Sequence, residues 1–170
     1  MRRDLGGWVS ATAAGLLSMA VMACGDDGTD ERLAERRAEI ADRGADVMPF
    51  DLDATTHRFE PSEAGLVQTV VADEPSDTAQ VDLIRDHLAQ EADRFGRGDY
   101  GDPAAIHGDD MPGLAELEAG ADSVTVTFED LVDGARLVFT TDDPGLVDAL
   151  HRWGEAQTTD HGAHADHPGS

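Results

Sequence analysis

Val124-Thr125-Val126-Thr127-Phe128 alternates apolar and polar residues without a break, the period-two pattern of a strand with one buried face. Asp133-Gly134 follows as a hairpin turn, and Leu137 and Phe139 alternate on a return strand. Asp143-Pro144 then caps a helix whose apolar stripe is Leu146, Leu150 and Trp153. Residues 124–153 therefore read as a strand, a strand and a helix.

The same order occurs earlier in the chain. Thr55 to Glu60 and Leu66 to Ala72 flank a turn at Pro61 to Gly65 and read as a hairpin. A helix follows from a cap at Ser76 or Asp77 to about Phe95, with Val81, Ile84, Leu88, Ala92 and Phe95 at three- and four-residue spacing. Gly96 and Gly98 end it, a loop runs from Asp99 to Pro112, and a short helix covers Leu114 to Ala119. The helices echo each other in Val81-Asp82-Leu83-Ile84 and Val147-Asp148-Ala149-Leu150. Each hairpin has one apolar face and each helix one stripe. The economical packing is an α+β fold: two ββα units forming a four-stranded, mainly antiparallel sheet with helices packed on one face. Strand order stays open.

Outward from this domain, at 47–158, the two ends have different chemistry. Residues 1–23 read as a lipoprotein signal peptide, in which Arg2 and Arg3 precede the uncharged run Trp8 to Ala23. That run is too short for a spanning helix, which needs about 20 apolar residues, and suits a signal peptide. It ends in Val21-Met22-Ala23-Cys24, which resembles the lipobox of bacterial lipoproteins, and Cys24 is the only cysteine in the chain. The expectation is a lipid on Cys24 and an extracytoplasmic protein held on the bacterial cell membrane, in the periplasm or at the cell surface. With that thiol acylated, intrachain disulfides and cysteine catalysis are excluded. Residues 24–46 read as a charged tether in which only Leu33 and Ile40 could pack, and 159–170 as a flexible, His-rich tail.

Charge restricts the partners. All 12 basic residues are arginine against 36 acidic ones, a net charge of −24, which repels nucleic acid and attracts cations. High acidity also keeps an exported domain soluble without any further role.

The remaining unusual feature is 7 histidines in a chain without lysine. His57 shares strand parity with Phe59 and so points to the core. His87 and Glu91 stand one turn apart on the first helix, the commonest way for a helix to offer a metal two ligands. His107 lies in a loop with Asp110 and Met111, and His151 flanks the last helical stripe. In the tail, His161, His164 and His167 recur at three-residue intervals beside Asp160 and Asp166 and can chelate Zn²⁺, Ni²⁺ or Cu²⁺, folded or not. A single buried histidine more often just hydrogen-bonds a backbone carbonyl. Several on elements that share one core favour a metal site.

Residues 48–161 resemble a family of small, uncharacterised exported bacterial proteins, some of which carry an aspartate carbamoyltransferase label. The matching stretches are Met48-Pro49-Phe50-Asp51, Thr55-Thr56-His57-Arg58-Phe59, Ile84-Arg85-Asp86-His87-Leu88, Gly98-Asp99-Tyr100, Ile106-His107, Pro112-Gly113, Leu150-His151 and Asp160-His161. The resemblance implies histidines at His57, His87, His107, His151 and His161 and often an apolar residue in place of Glu91. The enzyme label does not suit the sequence, because carbamoyl transfer needs a basic phosphate site and no Ser-Thr-Arg run occurs. A glycine-rich phosphate loop, a Gly-x-Ser-x-Gly elbow and a His-Glu-x-x-His helix are also missing.

The sequence thus points to a non-catalytic lipoprotein that binds Cu or Zn through histidines. One alternative is an envelope interaction module, with structural histidines and a protein partner. A second is a His/Asp acid-base enzyme acting on a small substrate, since such sites leave no fixed spacing.

Overall fold

The computed structural model describes residues 27–162. The signal segment, Cys24, His164 and His167 lie outside them. Strands β1 (Thr55–Ser62), β2 (Gly65–Ala72), β3 (Thr125–Asp130) and β4 (Gly134–Thr140) form one sheet in the order β1-β2-β4-β3, antiparallel throughout. The apolar parity of the sequence sets the buried face. Phe59, Leu66, Val70, Leu137 and Phe139 are all buried, and His57 lies on the same side as Phe59.

Among the described residues five α-helices join this sheet: α1 (Asp27–Val47), α2 (Thr78–Phe95), α3 (Gly101–His107), α4 (Leu114–Gly120) and α5 (Pro144–His161). Asp77 caps α2 by accepting from Gln80 N, and Asp143 caps α5 by accepting from Gly145 N, just before Pro144. Each of these helices lies over the other unit's hairpin: α2 packs mainly on β4 and β3, and α5 on β1 and β2. The central join is the antiparallel pairing of β2 with β4. Trp153 of α5, completely buried, sits at the middle of the core with Phe95, Tyr100 and Phe139 edge-on to it at ring-centroid distances of 5.6–6.0 Å.

Several sequence expectations change in detail. The segment read as a tether, 24–46, is from Asp27 onward a helix docked on α3 and α5, with Ile40 buried and Arg36 reaching Asp160. The loop from Asp99 to Pro112 contains α3. The tail begins later than 159, since α5 runs to His161. Gly134 is the first residue of β4, and it is a glycine because a Cβ there would stand 2.1 Å from Val70 O of β2.

Candidate metal centre

Four elements bring histidines to one side of the core. His57 comes from β1, His87 from α2, His107 from the end of α3 and His161 from the last turn of α5; all four line one cavity of about 30 Å³. That is room for a metal ion with a water, given that one water needs about 10–15 Å³. Phe50, Phe59 and Trp153 supply much of the apolar wall.

Three of the histidines cluster. The His57 and His161 rings lie 4.7 Å apart between centroids, and those of His107 and His161 lie 5.3 Å apart, edge to face. A metal about 2.0–2.1 Å from each of two imidazole nitrogens, at a tetrahedral angle, sets the ring centroids about 5 Å apart. The separations are therefore those of a shared ion. The orientations differ, because His57 and His161 are tilted by only 33° and are closer to stacked than convergent. Among the described residues no three His, Cys, Asp or Glu side chains are arranged as a ready metal site. His87 stands apart from the trio across Phe50, whose ring is 5.6 Å from His87 and 6.0 Å from His57.

His107 is the best-defined member. It is buried, and its Nδ1 lies 2.9 Å from Asp160 Oδ2. Burial alone would raise the Asp160 pKa, but hydrogen bonds from His107 and from Arg36 outweigh it and hold the carboxyl at about 2. An ionised carboxylate can only accept, so His107 donates from Nδ1 to Asp160. Arg36 of α1 grips both oxygens of Asp160, each at 2.8 Å, and its Nη2 also donates to His107 O at 3.3 Å.

Acidic groups occupy another wall. Glu91 is buried and Asp102 half-buried, and Arg94 bridges them, donating from Nη1 to Glu91 Oε1 at 3.1 Å and pairing with Asp102. Burial, then the nearby Asp102 charge, raises the Glu91 pKa to about 7 against the pull of Arg94. Burial also lowers the pKa of His87, which favours neutral imidazole, the form that ligates.

The remaining candidates fall elsewhere. His151 places Nε2 3.0 Å from both Ser62 O and Gly65 O, tying α5 to the β1–β2 turn, and does not line the cavity. Met111 is a core residue and Asp110 is exposed; neither lines the cavity. Sequence reasoning missed Arg36 and Asp102 as neighbours of the cluster and saw Asp160 only as part of a tail. The pairing of Asp160 with His107 spans 53 residues, and that with Arg36 spans 124. No local spacing announces such pairs. The chain matches no protein-family model, no curated protein and no solved structure.

Proposed function

We propose that the protein is a lipid-anchored extracytoplasmic protein that binds a transition metal, copper or zinc, without catalysing a reaction. The supporting observation is convergence: His57, His107 and His161 from three separate elements cluster at ligand-like separations on one small cavity. A metal-bound histidine usually donates its other ring nitrogen to a carboxylate that fixes its tautomer, and Asp160 stands in that relation to His107. Closing the site requires the His161 ring to turn from its stack on Phe59 and its tilted contact with His57 toward His107. His161 lies in the final turn of its helix, where the backbone is least constrained.

The test is calorimetric titration of Cu²⁺ and Zn²⁺ at pH 7 into residues 25–170 carrying His164→Ala and His167→Ala, which removes the outer tail as a chelator. One-to-one binding that His107→Ala abolishes is the expected result. Binding that survives both His57→Ala and His107→Ala, or no binding at all, overturns the reading. Anchoring is tested separately, because Cys24→Ala should abolish fatty-acid labelling and release the protein from membranes.

Acid-base catalysis on a small substrate is favoured by one observation, the Glu91 carboxyl with a pKa of about 7 in the same cavity. Arg94 and Asp102 already engage that carboxyl within the fold, and the metal reading uses more of the cluster.

A further inference from the structure

A second, larger cavity lies beneath α1. It measures about 310 Å³ and is walled mainly by apolar side chains, among them Ile40 of α1, Met48, Leu52 and Ile106 of α3. His57 and His161 line this chamber as well as the histidine cavity, so the two imidazoles form a shared partition. The chamber stays open because α1 presents Ala38, Ala41 and Gly44 to it. The helix is kept close by Gly44, where a Cβ would stand 2.9 Å from Leu52 Cδ1.

We propose that this chamber binds a small, neutral, mainly apolar molecule carrying one electron-pair donor at its inner end, where it meets the histidine cluster at His57 and His161. Size sets the upper limit: an engineered cavity of about 150 Å³ holds one benzene, so a bicycle or two linked small rings fits here. Charge excludes an anion. Asp53 and Asp160 line the chamber, Arg37 is occupied with Thr159 O at 3.0 Å, and the chain carries a net −24. Apolar walls hold water poorly, which favours displacement by such a molecule. The polar groups at the inner end are the two imidazoles and Asp160, whose carboxylate is held by Arg36 and His107, so the ligand's polar atom belongs at that end. The donor step, in which this atom meets the bound metal, rests on the metal reading; occupancy of the chamber does not.

Two probes of similar size separate these parts: indole, which has no free lone pair, and 4-phenylimidazole, which does. The protein is residues 25–170, which retain every described element, with His164→Ala and His167→Ala so that the tail binds no metal. Heteronuclear NMR of the metal-free protein should show both probes shifting the methyl signals of Ile40, Leu52 and Ile106 at millimolar concentration. Ala41→Phe, at an exposed helix position lining the chamber, should abolish those shifts while leaving metal titration unchanged; Ala38→Leu is the second filling variant. In the copper-loaded protein, 4-phenylimidazole should bind at least tenfold more tightly than indole and alter the Cu²⁺ electron paramagnetic resonance spectrum. Unshifted methyl signals, or probe binding that survives both filling variants, overturns the chamber. Equal affinity of the two probes for the copper-loaded protein overturns the donor step. If no copper binds, the metal reading fails while the NMR arm still decides the chamber.

Discussion

Asp160 holds Arg36 and His107 at once, and its pH response gives that role a measurable form. Its folded pKa of about 2 lies below its ordinary 3.8. A depressed carboxyl contributes stability that is present above pH 3.8 and lost as pH falls through 2. Asp160→Asn should therefore cost about 2 kcal/mol in urea unfolding above pH 4, and the difference should vanish near pH 2. Glu91 has the opposite sign. With a folded pKa of about 7 against an ordinary 4.5, it contributes stability that is complete below pH 4.5 and lost as pH rises through 7. Glu91→Gln keeps an acceptor for Arg94 and should raise the unfolding free energy in urea at pH 8 by about 2–3 kcal/mol, while leaving it unchanged at pH 4. His151 separates structure from ligation. His151→Ala should destabilise the fold by about 1–2 kcal/mol through the lost hydrogen bond to Ser62 O and Gly65 O and, on the proposed metal reading, leave the Cu²⁺ and Zn²⁺ titrations as they were.

At the scale of elements, α1 is the segment whose docking depends on the fewest groups. Ile40 is its only buried apolar residue among those described, and Arg36 is its tie to the histidine cluster. Arg36→Ala should raise amide hydrogen exchange through residues 30–47 and leave α2 and α5 protected, measured peptide by peptide. The same sparseness hid the docking of α1 from sequence reading, because Leu33 and Ile40 alone in a charged segment make no stripe. By contrast, α2, α5 and both hairpins were legible, since each carries a full apolar period and the two helices also carry a side-chain cap. The seven residues of α3 begin at a glycine and include Pro103, which reads as loop until Ile106 and His107 are seen buried. His57 could be placed inward from strand parity alone. Its convergence with His107 and His161 could not, because that depends on how α3 and the end of α5 pack.

For the whole molecule, strand order was the missing fact, since two hairpins with identical alternation can join at either edge. The observed order brings β2 against β4 and sends each long helix across to the other hairpin. Neither ββα unit can then hide its own apolar surface: the β1–β2 face needs α5, and α2 needs β3 and β4. Such an exchange makes the halves complementary fragments. Residues 25–98 and 99–170, made separately, should each lack the near-ultraviolet circular dichroism of packed aromatics and regain it when mixed, with a midpoint that depends on fragment concentration. Folding of the intact chain must likewise wait for contacts far apart in sequence, so the first hairpin to be made stays uncovered until the last helix has followed it.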